Sequence, residues 1–242
     1  MIGLARRRRR KANEPLVREG RPVPATFARG QTREPRQRNA IKTQEEILTA
    51  AHAEFAKKGY DGARIEAIVT RAKVSKNLIY HYFGSKEGLY IRVLERTYET
   101  LRQRQDQIPV HGLDPVSALT ALCEETFQVF VDEPGIIVML NTENLHRGRH
   151  LAKSPVIRHL YARLATTLDS ILERGMQSGV FRPNIDPVEL YISISALGYF
   201  SLSNRFTLSI LFDRDLKAPA RLRERKAHIV DMILRFVSTP VP

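Results

Sequence analysis

The chain has 242 residues, of which 43% are hydrophobic, and this is enough for one or two domains with a sizeable core. No uninterrupted apolar stretch is long enough to cross a membrane, and Cys123 is the only cysteine, which excludes an intrachain disulfide. We therefore expect a cytoplasmic protein without a membrane partner. The net charge is +13, and residues 1–40 contribute +9 of it through twelve Lys or Arg and three Glu.

Residues 1–40 are rich in arginine and interrupted by prolines. Such a segment buries too little apolar surface to offset its ordering entropy, so we predict a disordered basic arm. Two interpretations remain open. The arm can contact phosphates or an A·T-rich minor groove beside a main DNA site, or it is only a solvated tail.

Four helical segments follow the arm. The apolar spacing that begins at Thr43 predicts helices over 43–58, 64–72, 76–82 and 85–105. Ser75 can cap the third helix, and Gly84 ends it after about two turns. So short a helix is not stable alone, and Leu78, Ile79 and Phe83 are placed to anchor it on the helices behind it.

The free face of the third helix carries donors, aromatic rings and a positive charge. With the second helix and a tight turn at Lys73 and Val74, this is the pattern of a helix-turn-helix. Its outward side chains suit a DNA major groove. The alternative is a small helical hairpin whose polar residues merely face water.

Capping residues predict where three of the remaining helices begin. Asp114, Ser154 and Asp186 each precede a proline, which places a capping side chain before a proline at the first helical position. The spacing predicts helices over 115–131, 136–145, 155–179, 188–211 and 221–237. No period-2 alternation of useful length occurs. We predict an all-α fold of about nine helices.

Residues 65–89 contain Ile-Glu-Ala-Ile, then Val-Ser-Lys, then Leu-Ile-Tyr-His-Tyr-Phe-Gly-Ser-Lys-Glu-Gly-Leu. This stretch resembles the DNA-binding signature of the tetracycline-repressor (TetR) family. The resemblance implies a helix-turn-helix domain at 41–88 and a larger helical domain at 89–242 for effector binding and dimerisation. The implied protein is a homodimeric regulator, most simply a repressor that leaves a pseudo-palindromic DNA operator when an unidentified small molecule binds.

The family pattern also implies which residues meet DNA. Lys76 and Asn77 are candidates for base edges, and Tyr82 and Lys86 for phosphates. The ring of Tyr80 either faces DNA or packs against the first helix. The full set is Arg64, Ser75, Lys76, Asn77, Tyr80, His81, Tyr82 and Lys86.

Two positions depart from the family pattern. Arg64 stands where a Ser or Thr usually caps the second helix, so the cap is weaker, although Arg can reach a phosphate. Lys73 stands where the family has a turn glycine, so it must accept an awkward backbone conformation.

In the second domain, the nearly all-apolar helix after Pro187 predicts either a central core helix or, as the family implies, a dimer face formed with the last helix. The dimer candidates are Tyr191, Ile194, Leu197, Ile229 and Ile233. The effector-pocket candidates are aromatic and polar residues that can equally be core: Phe127, Phe130, Met139, Asn141, His146, Tyr161 and Tyr199.

No motif indicates catalysis or a cofactor. His146 and His150 have the i, i+4 spacing of a helical metal pair, but Gly148 and two flanking arginines argue against a metal. Gly-rich phosphate loops and strand-turn-helix nucleophile elbows do not occur. The alternative function is a helical nucleic-acid-binding or interaction protein that uses the basic tail and responds to no ligand.

Overall fold

The computed structural model describes residues 35–239, with side chains from residue 39 onward, and this range is all-α. Between these limits the only β-type contact is a single bridge from Phe181 to Ser238. No helix in the range is long and apolar enough to span a bilayer. The helices are α1 (Pro35–Gly62), α2 (Ile65–Ala72), α3 (Lys76–Phe83), α4 (Lys86–Asp106), α5 (Pro115–Asp132), α6 (Pro134–Leu145), α7 (Pro155–Gln177), α8 (Pro187–Ser203), α9 (Arg205–Phe212) and α10 (Pro219–Val237), with a 3₁₀ turn at Leu151–Lys153.

The first helix starts earlier than predicted. Helix α1 begins at Pro35, so residues 35–40 extend a helix instead of belonging to the basic arm. The rest of the predicted arm, residues 1–34, lies outside the described residues. At Gly59 the backbone has φ 67° and ψ −176°, and this kink ends the regular part of α1 at the predicted position.

The long helix predicted over 188–211 is two helices, α8 and α9, which meet at Asn204. The Asn204 backbone N–H and its side-chain Nδ2 both donate to the Phe200 carbonyl, each at 3.0 Å. This local bonding satisfies the end of α8 and competes with helix continuation. Arg205 adds a bond from Nη1 to the Leu202 carbonyl at 2.9 Å.

The three predicted proline-led helix starts are confirmed. Asp114 accepts from the amide of Val116 at 3.0 Å, and Asp186 accepts from the amide of Val188 at 2.7 Å. Ser154 caps α7 in the same way, and its hydroxyl also donates to the buried Glu95 of α4 at 2.8 Å. The α7 cap therefore also ties α7 to α4.

The apolar side chains form two cores that share α4. The first half of α4, from Leu89 to Leu94, packs with α1, α2 and α3. Its later residue Leu101 belongs to a second core built from α5, α7, α8 and α10. Because α4 has 21 residues, it runs for about 30 Å from the helix-turn-helix unit into the second core.

Candidate DNA-binding and effector sites

Helices α2 and α3 form a helix-turn-helix. Ile65 and Ile68 of α2 and Ile79 of α3 are buried in the N-terminal core. Between the helices, Lys73 takes the left-handed conformation (φ 54°, ψ 41°). Its amide and that of Val74 both donate to the Val69 carbonyl. A lysine thus makes the turn that glycine usually makes, with the same backbone geometry.

The first turns of α3 are presented to solvent. Ser75 caps the helix by accepting from the Leu78 amide at 3.3 Å. Lys76, Asn77 and His81 are exposed, and Tyr80 is 41% exposed. Four polar or aromatic side chains therefore share one free face of a short helix held from behind.

Lys76 is not a free cation in the absence of DNA. Its Nζ lies 2.8 Å from Oε1 of Glu66 on α2, and both side chains are exposed. This hydrogen bond raises the pKa of Lys76 and lowers the pKa of Glu66. An exposed pair is weak, so the lysine can exchange the carboxylate for a base edge or a phosphate.

Tyr82, in the last turn of α3, and Lys86, at the start of α4, are partly buried. The Lys86 Nζ lies 4.8 Å from the centre of the Tyr60 ring and donates to the Asp61 carbonyl at 3.4 Å. Ser85 caps α4 by accepting from the Gly88 amide at 3.0 Å, which leaves the neighbouring amides of this helix start facing outward. These positions suit phosphate contact at the edge of the recognition surface.

Arg64 is exposed and makes no side-chain cap for α2, as its chemistry predicts. The structure compensates from another helix. Oε1 of the buried Glu54 on α1 accepts the Arg64 backbone N–H at 3.3 Å and pairs with Lys58 at 2.9 Å. The Lys58 hydrogen bond lowers the pKa of Glu54 despite its burial. Glu54 thus joins α1 to the start of α2.

A cavity of about 230 Å³ lies between α4, α5, α6, α7 and α8. Phe130, Tyr161 and Tyr199, three of the predicted effector residues, line it together. Asn141 accepts from the Tyr199 hydroxyl and donates to Ser203 at 3.2 Å, so it holds one wall. The complete lining is Leu101, Phe130, Leu140, Asn144, Tyr161, Tyr191, Ser195, Ala196 and Tyr199.

The other predicted effector residues lie elsewhere. Phe127 borders a separate open cleft of about 330 Å³ beside α10. Met139 is fully buried in the N-terminal core. His146 lies at the junction of the two domains, with Nε2 3.2 Å from Oδ2 of Asp61. Helical periodicity did not place Met139, because the apolar and polar residues of α6 do not fall on separate faces.

His146 and His150 do not form a metal pair. Their rings pack edge to face, and each has a different carboxylate partner, Asp61 for His146 and the buried Glu143 for His150. Across residues 39–239, no group of three or more metal-ligating side chains is present. Both histidines instead contact the Tyr60 ring and connect α1 to the segment after α6.

The predicted dimer residues are on the expected helices, but they do not form their outer face. Ile194, Ile229 and Ile233 are buried within one chain, where α8 and α10 pack on α5, and Tyr191 lines the cavity. Leu197 is partly buried against the same core. The large apolar side chains that α8, α9 and α10 expose are Val188, Ile192, Phe200, Phe206, Ile210, Leu211, Phe212, Met232 and Phe236.

Sequence reasoning missed Arg102 and Ser195. Arg102 is buried beside two cavity-lining tyrosines, and Ser195 lines the cavity itself. The available signal was an arginine within the apolar stripe of α4, next to Leu101 and four residues after Tyr98.

A solvent-facing recognition helix, held by a helix-turn-helix core and joined by one long helix to a cavity-bearing helical domain, defines a DNA-binding transcriptional regulator. The family model for bacterial regulatory proteins of the tetR family matches residues 47–93. The model for the tetracyclin repressor-like C-terminal domain matches residues 115–233. The chain belongs to the TetR family.

Individual relatives agree with this assignment. The transcriptional repressor NicS of Pseudomonas putida is 39% identical over 200 residues, which cover 83% of this chain and 94% of that repressor. Among solved structures, the transcriptional regulator SCO4942 of Streptomyces coelicolor is 28% identical with a TM-score of 0.61, covering 82% of this chain and 99% of that one. The ketosteroid regulator KstR2 of Mycobacterium tuberculosis is 20% identical with a TM-score of 0.60, covering 81% and 95%, and it supports the fold alone.

Proposed function

We propose that this protein is a homodimeric repressor that binds a pseudo-palindromic operator and leaves it when a small molecule enters the cavity beside α4. The observation that carries the proposal is the exposed face of α3, with Lys76, Asn77, Tyr80 and His81 on a helix anchored from behind. A chromosomal operator places the protein in the cytoplasm. The repressor NicS is its relative over nearly the whole of both folded regions.

The DNA contacts divide into two kinds. Asn77 and Lys76 lie in the first turn of α3, where a recognition helix reaches base edges: Asn pairs with adenine and Lys with guanine. Tyr82, in the last turn of α3, and Lys86, at the start of α4, supply phosphate contacts, which position the helix without reading sequence. Arg64, exposed at the start of α2, is a further cation for phosphate contact.

Dimerisation uses the outer faces of α8, α9 and α10. Val188, Ile192 and Phe200 are spaced by four and eight residues on α8, so they form one exposed stripe. Helix α9 continues that apolar surface, and it has no buried residue of its own. An exposed apolar surface of this extent is typical of an interface, and a second copy of the chain covers it.

The link between ligand and DNA is α4. Its first residues carry Lys86 at the DNA-facing side, and Leu101 near its end lines the cavity. A ligand that favours one position of α4 therefore changes the separation of the two recognition helices in the dimer.

The test is operator binding by fluorescence anisotropy, with the DNA upstream of the gene as the first candidate. Asn77→Ala is expected to weaken specific binding by about tenfold or more and to leave non-specific binding unchanged. Lys86→Ala is expected to weaken both kinds of binding and to reduce the salt slope by about one per subunit. Gln177→Ala, at an exposed end of α7, is the control. Equal affinity of wild type and Asn77→Ala for the operator would contradict the assignment of α3.

The dimer is tested by light scattering on Phe200→Glu. The side chain is exposed in one chain, so the fold is expected to survive, while a buried glutamate breaks the pairing. A monomer that has lost operator binding is expected. Met176→Glu, at an exposed position on α7, is expected to remain dimeric. A monomeric wild type at micromolar concentration would overturn this part of the proposal.

A further inference from the structure

The second domain contains a buried cation without a counter-ion. Arg102 of α4 is only 3% exposed. Its Nη2 donates to the hydroxyl of Tyr191 at 2.8 Å, while Nε and Nη1 are buried without any hydrogen-bond partner. Among the described residues, no carboxylate pairs with it. A buried guanidinium with two of its three nitrogens unpaired is costly to the folded protein.

Arg102 does not line the cavity itself but lies directly behind two residues that do, Tyr161 and Tyr191. The guanidinium carbon lies 4.7 Å from the centre of the Tyr161 ring and 5.2 Å from that of Tyr191, and both rings line the cavity. These cation–π contacts offset part of the burial cost, but they leave the N–H groups of Nε and Nη1 without an acceptor. The free donors lie in the plane, where a carboxylate is accepted.

Other unpaired polar atoms occur in the same region. The hydroxyl of Ser195, which lines the cavity, is buried without a partner. Gln105 lies one turn after Arg102 on α4. Its Oε1 is also buried without a partner, while its Nε2 donates to Thr126 at 2.7 Å. Buried polar atoms in native proteins are nearly always satisfied by protein, water or ligand, so these atoms are available to a polar ligand.

Arg102 is the one buried arginine of residues 39–239, and it differs from two partly buried arginines, Arg174 and Arg225. Arg174 uses both terminal nitrogens on backbone carbonyls, those of Leu113 and Val110. Arg225 donates to the carbonyl of Leu197. These carbonyls belong to the loop before α5 and to α8, so the two arginines have a structural role, although the Nε of each also has no partner. Arg102 bonds only a tyrosine hydroxyl, so its charge has no such use.

We infer that the effector is a small carboxylate whose anionic end binds Arg102, with its apolar body between Phe130, Tyr161, Tyr191 and Tyr199. This inference rests on the proposed function, because it names the ligand class of the same cavity. A volume of about 230 Å³ holds a compact molecule. One cation matches one carboxylate better than a doubly charged phosphate, and the aromatic lining favours a ring. Since Arg102 is on α4, the anion acts directly on the helix that leads to the DNA-binding unit.

The experiment compares carboxylates with neutral molecules of the same shape. Thermal unfolding of the full chain is followed with benzoate and benzamide, phenylacetate and phenylacetamide, and cyclohexanecarboxylate and its amide, each at about 10 mM. At least one acid is expected to raise the unfolding temperature by about 2–4 °C more than its amide. The same acid is expected to weaken operator binding at least tenfold. If no acid exceeds its amide in wild type, the inference is wrong.

Arg102→Met removes the charge and keeps the length of the side chain. The substitution is expected to abolish the difference between the unfolding-temperature shifts caused by an acid and by its amide. Without ligand, the variant is expected to unfold at a temperature no lower than that of wild type, because an unpaired charge has been removed. Arg158→Met, at an exposed position on α7, is expected to keep the full acid response. If Arg102→Met keeps the acid response, the inference is overturned. If Arg102→Met loses stability and the wild type shows no acid response, Arg102 has a structural role and the inference is also overturned.

Operator binding without ligand separates the two proposals. If wild type and Arg102→Met both bind the operator but neither responds to acids, the regulator assignment stands and the carboxylate inference fails. If wild type binds no operator yet is stabilised by an acid through Arg102, the ligand class stands and the repressor function fails.

Discussion

The buried carboxylate of Glu143 accepts a hydrogen bond from Nδ1 of His150 at 2.6 Å. Its other oxygen accepts the amide of Leu151 at 3.0 Å, and Nε2 of His150 accepts from Nε of Arg149 at 3.2 Å. Because Nε2 accepts a hydrogen bond, the proton that His150 donates to Glu143 is on Nδ1. The His150 ring then packs on Tyr60 of α1 and on Tyr90 of α4. The pair thus joins the effector domain to the helix-turn-helix unit.

Replacing Glu143 by Gln is expected to destabilise the fold by about 1–3 kcal/mol, because one of its two acceptors becomes a donor that faces a buried N–H. The measurement is urea unfolding at neutral pH. Glu124→Gln, on the exposed face of α5, changes the same chemistry at the surface and is expected to stay within about 0.5 kcal/mol of wild type. Equal midpoints for Glu143→Gln and wild type would show that the pair does not hold the junction.

Much of this architecture was predictable, because helix starts depend on local chemistry. A capping side chain followed by proline predicted three helix starts, at Asp114, Ser154 and Asp186. The apolar residues that anchor α3 predicted which of its faces is exposed. The break at Asn204 was not predictable from apolar periodicity, which continues through it. The cavity was predicted only in part, since it depends on which faces of α4, α6 and α8 meet.

The missed Arg102 illustrates the same limit. The adjacent Leu101 is a weak local signal, because Thr100 and Gln103 on either side of this pair are polar, as they would be around a solvent-facing arginine. Burial of this position is a result of α7 and α8 closing over α4. The apolar periodicity of one helix does not show which other helices will cover it.

Lys73→Gly is expected to stabilise the protein by about 0.5–1 kcal/mol. A lysine at φ 54° has a steric cost that glycine does not, and the greater freedom of glycine in the unfolded chain cancels only part of the gain. The measurement is urea unfolding, with Lys57→Gly as the matched control. That exposed lysine lies inside regular α1, so the same substitution is expected to cost about 1 kcal/mol. If both variants lose stability, the turn conformation at Lys73 has no steric cost.

Gly88→Ala is expected to disrupt the joint between α3 and α4. A Cβ at Gly88 would lie 2.1 Å from the carbonyl oxygen of Phe83, which is backbone and cannot rotate away. We expect a loss of about 1–3 kcal/mol together with weaker operator binding, since α3 must tilt. Gly112→Ala, where a Cβ would lie 3.5 Å from the nearest atom, is the control and is expected to be nearly neutral. Wild-type operator affinity in Gly88→Ala would refute the idea that this contact sets the tilt of α3.

Glu54 gives the fold a pH dependence with a defined sign. Its pKa in the folded protein is lowered, first by the Lys58 hydrogen bond and then, against the effect of burial, by the Arg64 amide. Because the pKa of Glu54 is lower in the folded protein than in the unfolded protein, Glu54 stabilises the fold at pH values above its unfolded pKa, near 4.5. This stabilisation is lost as the pH falls through the folded pKa. Glu54→Gln is therefore expected to be less stable than wild type at pH 7, with a difference that shrinks steadily in acid below the unfolded pKa. Urea midpoints of both proteins across that range are the measurement, and Glu173→Gln, exposed on α7, is expected to follow wild type throughout. A difference that stays constant into strong acid would mean that Glu54 acts by its shape and not by its charge.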